Sequence, residues 1–151
     1  MSENNVIDKK NISESLVYFF DEKVCPQADV IYRFCYGACL NLEVSKKIVL
    51  NTIEGIVSDL ENLSLYDDAG LKVLLLYYAF KNLKSFNQEI TPDASKYSKL
   101  VGSLNTDQRA LFMAVDILGL SFSEASRIFS KVEESLRTDI GPVREYVLGK
   151  I

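Results

Sequence analysis

The sequence predicts an all-α protein built as two small helical lobes joined by a partly helical linker. Three observations carry this. Apolar residues arrive at helical spacing over most of the chain. With 7 Gly and 3 Pro in 151 residues and 48% hydrophobic residues, the chain has few breakers and enough apolar side chains for a packed core. Hydroxyl and amide residues followed three positions later by Glu or Gln mark helix starts at several points.

Taken in order, residues 1–10 are polar and expected to be flexible. Asn11-Ile12-Ser13-Glu14 can cap a helix carrying Leu16, Val17, Phe19 and Phe20, ending before Pro26. Val30, Ile31, Phe34, Cys35, Ala38 and Cys39 form the apolar side of a second helix. A third covers about Val44 to Leu60, and its stripe of Ile48, Val49, Thr52, Ile53, Ile56, Val57 and Leu60 is wide enough to require cover on more than one side. The fourth, about Asp67 to Phe86, is nearly apolar all round from Leu71 to Phe80. These helices make a first domain over 11–86. Residues 87–103 form the linker, in which Thr91-Pro92-Asp93 reads as a helix start.

Residues 104–151 make the second domain. Asn105 or Thr106 caps a helix with Gln108 placed to close a capping box, and Leu111, Phe112, Val115 and Ile117 share its apolar side. Gly119 stops it. Ser121-Phe122-Ser123-Glu124 opens a second helix with Ala125, Ile128 and Phe129, and a turn at Ser130-Lys131 leads to a third with Val132, Leu136 and Ile140. This is the plan of a helix-turn-helix. Gly141-Pro142 is expected to end or kink that last helix, because an internal proline costs about 3 kcal/mol.

Composition narrows function. The formal charge is −4, from 17 Lys and Arg against 21 Asp and Glu. The helix-turn-helix half holds 6 basic and 7 acidic residues, 6 − 7 = −1, whereas dedicated DNA readers usually carry a basic footprint. With no His, and with no phosphate loop, nucleophile elbow or metal spacing, the sequence predicts neither an enzyme nor a metal or cofactor. Asp67-Asp68 and Glu133-Glu134 read as helix starts. Cys35 and Cys39, four apart among apolar neighbours, read as core residues, and three cysteines do not suggest a disulfide framework. The polar start and the lack of an apolar run of ~20 residues predict a cytoplasmic protein with no membrane partner.

The helix-turn-helix string resembles region 4 of the extracytoplasmic-function (ECF) sigma factors through Leu104, Gln108, Arg109, Asp116, Gly119, Leu120, Ser121, Phe122, Glu124 and Ala125. Residues 45–57 similarly resemble the region 2 motif of that family. Ile48, Val49, Thr52, Ile53, Ile56 and Val57 keep its apolar side and its Thr, while Lys46 and Lys47 stand where the family has Glu and Asp. On the recognition helix Asp139 stands at a usual Arg position and Gly141-Pro142 replaces a basic pair. Thr52-Ile53-Glu54-Gly55-Ile56-Val57-Ser58-Asp59, and the helix from Gly70 to Phe80, are similar to the sigma-factor-like domain of alphaproteobacterial general-stress-response regulators.

The resemblance implies an anti-anti-sigma role in a stress response: a sigma-factor mimic that regulates transcription by capturing an anti-sigma factor or similar small helical protein, with weakened DNA and polymerase binding. Family members carry a receiver domain after the mimic; this chain ends at Ile151, which leaves a receiver acting in trans as a further candidate partner. Expected partner contacts are Leu50, Asn51 and Glu54 on the third helix and Phe129, Leu136 and Arg137 in the helix-turn-helix. The alternative is a divergent ECF sigma factor that binds core RNA polymerase and promoter DNA, with Ser135, Arg137 and Thr138 facing the DNA.

Overall fold

The computed structural model describes residues 14–86 and 88–151. The expected cap at Asn11 to Ser13 lies outside them, as do the residues 1–10 expected to be flexible. Every regular element among the described residues is helical.

Pro26 does not end the first helix. Residues 14–19 are α-helical and run on through a π-turn, Phe20–Val24, and a 3-10 turn, Cys25–Gln27, into α1, Ala28–Cys39. Proline is accommodated because it sits in the first turn of the 3-10 segment, where its missing N–H costs little. α1 stops at Leu40, whose backbone is left-handed (φ 61) and whose N–H donates to Tyr36 O at 2.8 Å. A bulky residue is strained in that region. Full burial of the Leu40 side chain offsets the strain.

α2, Leu42–Val57, is capped by Asn41, whose side chain accepts from Val44 N. Ile48, Thr52 and Ile56 are buried on it, and Thr52 is satisfied by donating to Ile48 O at 2.8 Å and accepting from Asn82 Nδ2 at 3.0 Å. The apolar stripe is narrower than expected, since Val57 is 52% exposed. A single turn, α3 (Leu60–Leu63), leads to α4, Asp68–Lys84, capped by Asp67 through Gly70 N. As its apolar circumference predicts, α4 is covered from several sides. α1 and α2 pack on it from the first half and α7, Phe122–Phe129, crosses it from the second.

The linker departs from expectation. Thr91-Pro92-Asp93 starts no helix; the short helix α5 is Lys96–Val101, capped by Ser95. Asp93 is used elsewhere: its N–H donates to Leu40 O at 2.7 Å and its carboxylate accepts from Leu42 N at 2.7 Å, while Asn41 Nδ2 donates to Thr91 O at 2.8 Å. The linker thus supplies one of the caps that α2 lacks locally. Tyr36 donates to Ser95 Oγ at 3.1 Å and ties down the same stretch.

In the second half, α6, Thr106–Phe112, opens with the full Asn105–Gln108 capping box and widens into a π-turn, Met113–Ile117. The wider turn rotates the following residues, and Ile117 points outward at 52% exposure instead of joining the core. Gly119 has φ 72, the left-handed conformation glycine adopts without strain, and Ser121–Glu124 forms the second capping box at the start of α7. α8, Glu133–Lys150, is longer than expected and passes through Gly141-Pro142 without ending. Leu136, Ile140, Val143 and Val147 bury one face along its whole length, which holds the helix together across the proline. Val132 lies before the helix and is 72% exposed.

The core is shared between the two halves. One cluster centred on Phe34, Ile48, Leu75 and Leu76 takes in Ala110, Met113, Ala114, Leu120 and Ile128 from the second half. The other, around Leu111, Leu136 and Ile140, takes in Leu40 from the first. Phe129 packs at the edge of both clusters, and its ring lies 4.9 Å from that of Phe80 and 6.3 Å from that of Phe34.

Candidate functional site

A cavity of about 500 Å³ lies between α4 and the helix-turn-helix. α4 contributes Phe80 and Lys84; α6 and its cap contribute Asn105, Asp107, Gln108 and Leu111. Phe129 comes from the end of α7 and Lys131 from the turn after it, and Leu136, Thr138, Asp139 and Pro142 from α8. Phe80, Leu111, Phe129 and Pro142 give it apolar patches among polar side chains. The rim is set by two ion pairs, Lys84 with Asp107 at 2.7 Å across the two halves and Lys131 with Asp139 at 3.4 Å within the second. Both are about half exposed, so each contributes little stability. Apolar patches bordered by polar and charged groups suit side chains anchored from a partner.

The expected contact residues separate into groups. Phe129 and Leu136 line this cavity, although Leu136 is only 2% exposed and presents little surface. Arg137 does not line it: its guanidinium stacks 5.0 Å from the Phe122 ring centroid. Leu50, at 59% exposure, and Glu54 stand in the open on α2, while Asn51 borders a small hollow of about 170 Å³ with Gly55, Tyr78 and Asn82. Of the candidate DNA-facing residues, Thr138 is exposed and lines the cavity, and Ser135 is half-buried. Sequence reasoning missed Phe80, Lys84, Asp107 and Lys131. Their lack of a common period hid them, because they meet only through packing of α4 on the second half.

Most basic side chains of the helix-turn-helix have a partner within the chain. Arg109 is buried and donates to the carbonyls of Ala38 and Leu104. Burial pushes its affinity for the proton down, and among the described residues no carboxylate pairs with it. Arg144 forks onto Asp116 with contacts of 2.8 and 3.0 Å. Lys131 pairs with Asp139, Arg137 stacks on Phe122, and Lys150 lies over Tyr146. Among the described residues Arg127 alone of the six has none of these contacts.

Cys35 and Cys39 are core residues. Cys39 Sγ lies 3.3 Å from Ser45 Oγ, and burial, with Cys39 beside it, drives the Cys35 thiol far above the ordinary range. Among the described residues no group of three His, Cys, Asp or Glu could hold a metal ion, and no helix is long and apolar enough to cross a membrane.

This arrangement of helices matches a solved structure, the sigma factor RpoE from Bartonella quintana, seen in co-crystals with the anti-sigma factor NepR. The TM-score is 0.68 over 87% of this chain and 95% of that one, at 12% sequence identity. The fold is sigma-factor-like. At this identity the likeness is one of fold alone. No protein-family model matches the sequence, and no curated protein matches it.

Proposed function

We propose that this sigma-factor-like chain acts by protein–protein binding, as a mimic that captures an anti-sigma factor or similar small helical protein in the cavity between its two halves. The observation that carries the reading is the fate of the basic side chains. A helix-turn-helix that grips duplex DNA needs free Lys and Arg for phosphates. Here five of the six between residues 104 and 151 are buried, ion-paired or stacked, and Asp139 stands on the exposed face of α8. The apolar positions that build the fold are kept at the same time.

On this reading the segments 11–86 and 104–151 are the region 2-like and region 4-like units, with 87–103 between them. A helical ligand would lay anchors at i, i+4 and i+7 against the apolar patches of Phe80, Leu111 and Phe129. Leu50, Asn51, Glu54 and Arg137 would serve as flanking contacts. A receiver acting in trans would regulate that capture, and the setting would be a cytoplasmic stress response.

The test is affinity capture from the native lysate, compared side by side for small helical proteins and core polymerase subunits. The recovered small protein is then titrated against the wild type and Thr138→Trp, which fills the cavity from an exposed position. Capture of a small protein that Thr138→Trp no longer holds supports the mimic. Recovery of polymerase, with salt-sensitive duplex binding, makes the chain a divergent ECF sigma factor.

A further inference from the structure

A second concavity lies on the other contact surface of α4, where α7 crosses it. Val73 and Leu74 form its floor, Tyr66 and Tyr77 its walls, Gly70 one end, and Arg127 stands at the edge; the volume is about 260 Å³. Gly70 keeps the groove open: a Cβ there would sit 2.8 Å from Asp67 Oδ1 and 3.3 Å from the Tyr66 ring, displacing the wall. Tyr66 is 50% exposed and its neighbour Leu65 is 83% exposed, so the apolar surface continues past the groove.

Two features define what would fill it. The floor and walls are apolar and aromatic, and the cation at the edge is exposed in the last turn of α7 with no partner among the described residues. We propose that this groove is a docking site for an acidic, apolar peptide segment of a partner protein. An aliphatic side chain would seat between Tyr66 and Tyr77, and a neighbouring carboxylate would pair with the Arg127 guanidinium, which offers a planar fork of donors. The surroundings disfavour a polyanion. Asp67, spent on capping Gly70, and Asp68, 3.4 Å from Lys23, both lie at the start of α4, so a phosphate backbone would meet one free cation beside two carboxylates. A peptide needs only the one ion pair. The proposal does not depend on the cavity or on the reading of its partner.

The probe is a fluorescein-labelled Leu-rich peptide carrying a single Asp, titrated by anisotropy against the full chain at low salt, with the same peptide carrying Lys in place of Asp and an oligo-dT strand as competitors. The expected result is saturable binding of the acidic peptide that falls by about tenfold or more in Arg127→Glu and is retained in Thr138→Trp. Arg127→Lys should keep a part of it. Because Arg127 is exposed, these variants should fold, which circular dichroism verifies. Absence of saturable binding, equal binding by Arg127→Glu, tighter binding of oligo-dT, or loss in Thr138→Trp would each overturn the assignment.

Discussion

Arg109 Nε donates to the carbonyl oxygen of Ala38 at 2.7 Å, joining the first turn of the helix-turn-helix to the last turn of α1. The residues are 71 positions apart in sequence, and the bond is buried. A guanidinium fits there because the C-terminal end of a helix offers unpaired carbonyls and a partial negative charge. The same side chain also serves Leu104 O, so one cation closes the junction without a carboxylate.

Arg109→Met should therefore leave two buried carbonyls unpaired, and a loss of about 2–4 kcal/mol is expected in urea unfolding. Arg109→Lys should recover less than half of it, since a point-like ammonium cannot reproduce the fork. Full recovery by Lys would show that charge alone matters.

Tyr97, on α5, buries its hydroxyl without a hydrogen-bond partner among the described residues. Removing an unpaired buried donor with Tyr97→Phe should stabilise the chain by about 1 kcal/mol. Burial, opposed by Arg109 and helped by Tyr36, pushes the Tyr97 phenol up to about 12 from 10. The folded state thus holds the phenolic proton more tightly than the unfolded chain does. Stability tied to this group is intact below pH 10 and falls as pH rises from 10 toward 12. Thermal melts across that range should show a shallower decline in Tyr97→Phe.

Gly37 lets α1 approach the π-turn after α6. A Cβ at that position would lie 2.4 Å from Met113 Cε and 2.9 Å from its Cγ. Gly37→Ala should cost about 1–2 kcal/mol through overpacking, despite the better helix propensity of alanine. In a double-mutant cycle, Met113→Ala should relieve that cost, with a coupling of about 1 kcal/mol. Additive effects would place the strain elsewhere.

Pro142 sits in the interior of α8, where it removes one helical hydrogen bond and crowds the preceding turn. Pro142→Ala should raise stability by about 1–3 kcal/mol. Chemical denaturation would read it directly, and a neutral outcome would mean the helix has already relaxed around the ring.

The sequence disclosed what is periodic or local. The capping boxes of Asn105–Gln108 and Ser121–Glu124, the left-handed turn at Gly119, and the apolar faces of α4 and α8 rest on neighbours within one helical turn, and each is found in the structure. What escaped depends on distant partners. Thr91-Pro92-Asp93 has every local mark of a helix start, yet Asp93 is bound to Leu40 and Leu42, and that pairing outweighs the local signal. Pro142 does not end α8 for the same reason: four buried residues along the helix outweigh a local breaker. The cavity is a product of packing: Phe80 and Thr138 signal nothing until α4 is laid against the second half.

The clamp between the linker and the corner of α1 and α2 bears on how the chain assembles as it is made. Leu42 N, the first amide of α2, finds its acceptor in Asp93, about 50 residues downstream. While a ribosome is still adding those residues, α2 has Asn41 as a cap but lacks the second tie. The first half therefore gains its final corner only when the linker emerges and folds back. The long reach of this contact makes closure a late step in folding, and it couples loss of the linker to fraying of α2.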